Sequence, residues 1–381
     1  MDCDVPFGAF LSGGIDSSCV VALMSEISSK KVNTFSIGFD DKNYNEANIS
    51  KKIAKKLGTE HYELYAKPSD FFDIIPSLND FYDEPFSDSS QLPTMLVSKF
   101  AREKVTVALS GDSGDELFAG YNRHRMAEQL SSSLTLVNQG LRRGISTAIK
   151  TLSSGTYSKI SSCLNILTLG KVRISSLGDK AYKFARAFEA KDGYELYRIL
   201  ISTSPEILRK LPKEYLVSSE TLFTDDEFSL SEKMMLQDTL SYMCHDILVK
   251  VDRASMIYSL ESRIPFLDNH VFDTAWRTPI EHKLYKGESK YPLKNLVNKY
   301  IGEDISKLPK HGFGVPIAEW LRHDLREWAE QYLCDSALEN NEHINPSEVK
   351  KIWNLHLSGR ENRQYELWNF IILQQWLGRS K

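Results

Sequence analysis

The sequence predicts an α/β fold: a parallel, doubly wound sheet followed by a largely helical C-terminal part. Three observations carry this expectation. Short apolar runs alternate with segments of helical apolar spacing from Phe7 to Leu109, an order that calls for parallel pairing with helices on both faces. The glycine-rich turn Ser12-Gly13-Gly14-Ile15-Asp16-Ser17-Ser18 joins the first apolar run to the first helical one. From Tyr121 onward the spacing is helical and no clear strand follows.

Phe7 to Leu11 reads as a short buried strand, and Cys19 to Ile27 as a helix that starts near Ser17. Val32 to Phe39 is a second strand, rich in β-favouring residues and ended by a loop at Asp40-Asp41. A helix from about Asn45 puts Ile49, Ile53 and Leu57 on one side and Lys51, Lys52, Lys55 and Lys56 on the wet side. It stops at Gly58, which suits the left-handed position after a helix. His61 to Tyr65 supplies a third strand, and Phe71 to Tyr82 has helical spacing. Asp83 to Ser90 is a polar loop, Pro93 to Glu103 a helix, and Val105 to Leu109 a buried strand leading into Ser110-Gly111-Asp112-Ser113-Gly114-Asp115-Glu116. Ser231 to Leu260 is a long, interrupted helical pattern that Arg263 to Asp268 breaks. Lys286 to Lys294 is polar and basic, Leu308 to Pro316 is a glycine-rich loop, and Glu366 to Leu377 is an apolar, aromatic helix expected to pack on the body. The expected divisions are an α/β core over 1–125, a helical region over 126–220 and a helical part over 221–381 that completes the site.

The chain of 381 residues can bury a large core, and 41% hydrophobic with 26% charged residues is the balance of a soluble globular protein. A net charge of −4, with acids matching bases along the chain, gives no nucleic-acid or membrane surface. The five cysteines, at positions 3, 19, 163, 244 and 334, lack metal-ligand spacing and imply reduced thiols in a cytoplasmic protein. No apolar run reaches membrane length.

The chemistry concentrates in two Ser-Gly turns. Adjacent Gly13 and Gly14 let the backbone turn sharply with its amides uncovered, and the following helix aims its free N–H groups and positive dipole end at the turn, which suits phosphate oxygens. Asp16 would repel bare phosphate, so its place there makes sense if it holds a Mg²⁺. An ordinary glycine-rich αβ turn is the bland alternative. The turn has no Walker A Gly-Lys-Ser/Thr and no dinucleotide Gly-x-Gly-x-x-Gly. The second turn follows another apolar strand. In an open α/β sheet, ligands sit beyond the C-terminal strand ends, so the two turns can converge on one nucleotide.

Ser12-Gly13-Gly14-x-Asp16-Ser17 resembles the signature of the ATP pyrophosphatases, of the adenine-nucleotide α-hydrolase type, which cut ATP between its α and β phosphates. With it stand Phe35-Ser36-Ile37-Gly38, Asp83-Glu84-Pro85-Phe86, Ser110 to Glu116 with Phe118-Ala119-Gly120-Tyr121, Asp252-Arg253 with Met256, Glu261-x-Arg263-x-Pro265-Phe266-Leu267-Asp268, and Lys310-x-Gly312-Phe313-Gly314-x-Pro316. In this order the blocks resemble the synthetase half of the glutamine-dependent asparagine synthetases.

That resemblance implies a ligase that joins the side-chain carboxylate of aspartate to the α-phosphorus of ATP, releases pyrophosphate, and lets ammonia displace AMP. It implies Asp16 and Asp115 as Mg²⁺ ligands, with Ser12, Gly13, Gly14, Asp16, Ser17 and Ser18 at the pyrophosphate. Leu11 and Ile37 match positions whose backbone recognises adenine, which plain core residues at strand ends could equally fill; Ser36 is counted with the ATP-binding residues, and Ser110 and Gly111 fall beside the ribose and α-phosphate. Asp112 stands where the family often carries Glu, at a position tied to forming the acyl-adenylate. Lys310 stands where a lysine stabilises the pentacovalent α-phosphorus. Asp115 can equally cap the helix beginning at Glu116, and Lys310 can be a solvated loop lysine. Glu84, Asp246, Asp252 and Arg263 are weaker candidates, which buried ion pairs between helices would explain as well.

The family carries an N-terminal glutaminase whose nucleophile is a cysteine directly after the initiator Met. Here Asp2 takes that place and Cys3 lies between two acids. The expectation is a chain without that domain, using free ammonia or ammonia from a separate glutaminase protein. Related enzymes that amidate a sugar carboxylate or close a β-lactam, and a non-catalytic nucleotide-binding subunit, are the rival readings.

Overall fold

Five parallel strands form one sheet in the order β3-β2-β1-β4-β5. They are β1 (Phe7–Phe10), β2 (Asn33–Phe39), β3 (Glu60–Ala66), β4 (Val107–Leu109) and β5 (Glu261–Arg263). The computed structural model describes residues 4–39, 45–127, 130, 137–151, 185–202, 220–224, 227–306, 314–339 and 344–379. Described residues up to Gly120 and from Asp238 onward make one compact unit, and those between Tyr121 and Gln237 make another.

In the first unit, β1 is flanked by β2 (Phe10 opposite Phe35) and by β4 (Ala9 opposite Leu109). The chain moves outward from β1 through β2 to β3 on one side, while β4 and β5 lie on the other, so strand order reverses between β1 and β4. Helices α1 (Ile15–Ile27), α2 (Ala47–Leu57) and α3 (Gln91–Arg102) connect the strands. Gly58 ends α2 in the left-handed conformation at φ 69°, as its chemistry predicts. The sheet is covered on both faces. One core gathers Phe35, Ile37 and Phe39 of β2 with Leu92, Met95 and Leu96 of α3 and Leu367, Trp368 and Ile371 of the C-terminal helix. The other gathers Ala9 and Leu11 with Val20, Val21 and Met24 of α1, Ile53 of α2 and Leu293 and Val297.

Two expectations are corrected. Phe71 to Tyr82 is not one helix: a single α turn over Ser69–Phe72 gives way to a 3₁₀ stretch over Ile75–Asp80. Pro76 stands in that stretch and, lacking an N–H and crowding the preceding turn, stops an α-helix from continuing through it. Glu261–Arg263 is not merely a break after the long helix but the edge strand β5, paired in parallel with β4. Its three residues carry no apolar alternation for a sequence reading to catch. The interruption expected within 231–260 is a π-helical stretch, Thr239–Ile247, before a helix over Leu248–Met256.

The second unit contains helices over Gln139–Thr151, Gly193–Ile201 and Leu230–Asp238. Its core is built from Ala127, Leu130, Ala187, Ala190, Leu196, Tyr197 and Met234. Arg142 is buried there and donates to the carbonyls of Val137 (3.1 Å), Phe188 (3.3 Å) and Ala190 (2.5 Å). Residues 152–184 and 203–219 of the expected helical region lie outside the described residues.

Trp368 is fully buried among the C-terminal helices, with its ring 6.0 Å from that of Trp328. Trp368→Ala is expected to cost about 3–5 kcal/mol of stability, the range for emptying a large aromatic site. A urea-denaturation midpoint unchanged from the parent chain would contradict this core.

Candidate active site

The reversal of strand order puts the turns after β1 and β4 side by side at the C-terminal sheet edge, the place where open α/β sheets bind ligands. The first turn is ordered by its own hydroxyls. Ser17 Oγ accepts from the Ser12 amide (3.2 Å) and lies 3.1 Å from Ser12 Oγ, and Ser18 Oγ donates to the Gly14 carbonyl (2.6 Å). Gly13 adopts φ 81°, which an L side chain rarely takes. No side chain caps α1, whose N-cap is Gly14, so its first amides face the turn.

In the second turn the Ser110 amide donates to the Arg263 carbonyl (2.8 Å), tying the turn to β5, and the Ser110 hydroxyl donates to the Asp112 carboxylate. Ser113 sits at φ 69° ahead of a single helical turn, α4 (Gly114–Leu117). The N-cap is therefore Ser113, and Asp115 lies inside the turn, so the expected capping alternative for Asp115 falls away.

The two turns touch through their glycines. A Cβ on Gly111 would stand 2.5 Å from the Ser17 nitrogen, and one on Gly114 would stand 2.6 Å from Asp16 Oδ1. The contact brings Asp16 and Asp115 to a common cation. Lys290 Nζ lies 2.5 Å from Asp16 Oδ2 and 2.6 Å from Asp115 Oδ1. Burial opposes the charge on Lys290, but the two carboxylates outweigh it and raise its pKa above the ordinary lysine value. Sequence reasoning missed Lys290. It is one of three lysines, with Lys286 and Lys294, in a polar stretch, and no local pattern separates them.

The remaining expected nucleotide residues cluster nearby. Leu11 and Ile37 are buried at strand ends, and the Leu11 amide donates to the Phe35 carbonyl (2.9 Å). Ser36 is buried with its Oγ 3.3 Å from His61 Nε2. Cys19, one turn into α1, has its thiol pushed up to about 11 by burial and then by Asp16, which leaves it unreactive.

A second group of charges borders Asp112. Lys250 Nζ lies 3.1 Å from Asp88 Oδ2 and 2.9 Å from Ser90 Oγ. Burial opposes its charge, yet Asp88 and then Asp112 raise its pKa. Asp246, in the π-helical stretch, is pushed up to about 7 by burial and by Asp88. The side chains of the other weaker candidates are exposed, although the Arg263 backbone adjoins the second turn. Glu84 is exposed, Asp252 lies 4.0 Å from Arg253 on the surface, and Arg263 Nε holds Glu261 at 2.6 Å in an exposed pair, so buried ion pairs do not explain them. Lys310 lies outside the described residues.

The family model described as asparagine synthase matches residues 1–378. The chain belongs to the asparagine synthase family. It is 32% identical over 378 residues to asparagine synthetase [glutamine-hydrolyzing] 1 of Bacillus subtilis, covering 99% of this chain and 56% of that protein. To a putative asparagine synthetase [glutamine-hydrolyzing] of Mycobacterium tuberculosis it is 30% identical over 378 residues, covering 99% of this chain and 55% of that one. A putative asparagine synthetase [glutamine-hydrolyzing] 2 of Methanocaldococcus jannaschii is 35% identical over 261 residues, 68% of this chain and 46% of that one. This asparagine synthase family chain thus spans about half the length of the curated relatives it matches. Among its described residues no helix is long and apolar enough to cross a membrane.

The donor set fits Mg²⁺. Asp16 and Asp115 offer hard carboxylate oxygens that already converge on one cation position. The described residues hold no group of three or more His, Cys, Asp or Glu suited to a metal, so the ion would complete its shell with phosphate oxygens and water.

Two outcomes are expected in this asparagine synthase family site. Gly111→Ala forces the turns apart and lowers stability by about 1–3 kcal/mol, measurable as a fall in melting temperature, because the added carbon meets backbone rather than a yielding side chain. The folded chain keeps a proton on Asp246 up to about pH 7, while the unfolded chain releases it near 3.8. Across that window the folded state binds more protons, so this group makes stability fall as pH rises. Asp246→Asn is expected to flatten that slope and raise the melting temperature at pH 8, and an unaltered slope would refute the assignment.

Proposed function

We propose that this chain carries the synthetase chemistry of an asparagine synthetase: ATP-dependent adenylation of aspartate, followed by amidation with ammonia. The observation that carries the reading is the convergence of two Ser-Gly turns, with Asp16 and Asp115 on one cation, at the switch point of the sheet.

The reaction joins two anions, so its main demand is neutralisation of charge in a preorganised site. Bound Mg²⁺ supplies positive charge beside the phosphate oxygens, held by Asp16 and Asp115. The uncapped start of α1 and the hydroxyls of Ser12 and Ser17 bind the β and γ phosphates. Leu11 and Ile37 seat adenine through their backbone, Ser36 adds to the ATP site, and Ser110 and Gly111 lie beside the ribose and α-phosphate. Lys310, at its place in the family pattern, stabilises the five-coordinate α-phosphorus. A carboxylate oxygen of aspartate forms a bond to that phosphorus as the bond to the β-phosphate oxygen breaks, and pyrophosphate leaves. Ammonia then adds to the acyl carbon, AMP departs and one proton is lost. Asp112, held by Ser110 and in the field of Lys250, borders the adenylate.

Ammonia arrives from solution or from glutamine through a glutaminase, as the names of the relatives imply for those proteins. A cytoplasmic setting is proposed with it, since Cys19, Cys244 and Cys334 are free thiols, the state a reducing compartment maintains.

The test incubates the chain with ATP, Mg²⁺, aspartate and ammonium. AMP and pyrophosphate are the expected products, and ADP formation would exclude this mechanism. Asp16→Ala and Lys310→Ala are each expected to cut pyrophosphate release by about a hundredfold or more with circular dichroism unchanged. Full activity in either variant removes that residue from the mechanism.

A further inference from the structure

The ammonium of Lys290 stands where the divalent ion of the proposed reaction belongs. Its Nζ lies 2.5 Å from Asp16 Oδ2 and 2.6 Å from Asp115 Oδ1, and its side chain is only 8% exposed. A Mg²⁺ bound by the same oxygens needs them at about 2.0–2.1 Å, so ion and ammonium cannot share the position.

The lysine is built into place. A Cβ on Gly120 would come within 2.1 Å of Lys290 Cε and 1.9 Å of Asp115 Oδ1, so the slot exists only because Gly120 has no side chain. Gly114 likewise makes room for Asp16. The Lys290 backbone holds a left-handed φ of 54°, and its amide donates to the Phe118 carbonyl (3.2 Å). Non-glycine residues adopt that conformation only where their surroundings impose it. Beyond this pinned backbone, a four-carbon stem lets the ammonium move without displacing α5 (Tyr291–Ile301), the helix it precedes.

Charge then dictates the order of events. Two carboxylates and one ammonium sum to −1, whereas adding a divalent ion while the ammonium stays brings these four groups to +1 and sets two cations against each other around the same oxygens. Incoming triphosphate supplies that counter-charge and gives the displaced ammonium a partner. We propose that Lys290 holds the cation position between Asp16 and Asp115 in the nucleotide-free protein, so that the divalent ion enters only together with ATP. The proposal rests on the Mg²⁺-ATP reading of this site.

Mn²⁺ is the probe, its free and bound forms being distinguished by electron paramagnetic resonance. Without nucleotide, Lys290→Met is expected to bind one Mn²⁺ at least about tenfold more tightly than the parent chain, a difference of about 1.4 kcal/mol. That gained site is expected to vanish when Asp16→Asn is added. Equal affinity in the parent and Lys290→Met chains overturns the proposal. Should Lys290→Met fail to fold, the parent chain decides: Mn²⁺ alone is expected to leave its melting temperature unchanged, and Mn²⁺ with ATP to raise it. A saturable rise with Mn²⁺ alone overturns the proposal. If Mn²⁺ with ATP gives no rise while Lys290→Met gains its Mn²⁺ site, the ammonium's occupancy stands and the nucleotide reading falls.

Discussion

Two carboxylates, Asp16 and Asp115, cannot be pressed together in a buried cleft without a cation between them, and Lys290 supplies it. An uncompensated pair would repel, and their turns would part. With the ammonium in place the turns pack until backbone meets backbone, close enough that Gly111 and Gly114 have no space for a side chain. The glycines are therefore as necessary to the site as the charges. They set the distance at which one cation reaches both oxygens.

The sheet makes that meeting possible. Because β1 and β4 are neighbours while the chain departs from them in opposite directions, their turns face a common cleft and neither is buried beneath a crossover. β5 holds the second turn from its far side, through the Arg263 carbonyl and the Ser110 amide. Apolar cores on both faces keep the strands in register and isolate the cleft at their ends. Packing thus acts on function through position: it leaves the ends of β1 and β4 as a place where charged groups converge.

The cleft carries two arrangements of charge with different character. Around Lys290 two carboxylates hold one ammonium, whose pKa they raise against the effect of burial. Around Lys250 the carboxyls compete, Asp88 remaining ionised while Asp246 holds its proton to about pH 7. Asp112 is bonded to Ser110 and felt by Lys250.

Much of this was readable in the chain because it is local. A strand, a glycine turn and a helix start lie within a few residues of one another, so Ser12 to Ser18 and Ser110 to Glu116 announced their chemistry, and periodicity placed β1 to β4 and the helices between them. The remainder depended on residues far apart. Lys290 lies 274 positions from Asp16 and looks like its neighbours Lys286 and Lys294 until the fold buries it, leaving Lys286 exposed and Lys294 half-buried. β5 has three residues without alternation and becomes a strand only because β4 offers it an open edge. Phe71 to Tyr82 kept its apolar spacing but not its helix, since one proline ring outweighs a periodic pattern. Sequence alone determined the fold class and the two Ser-Gly turns, whose causes are short-range. Only the tertiary structure decided which cation joins them, because burial and charge pairing arise when distant segments meet.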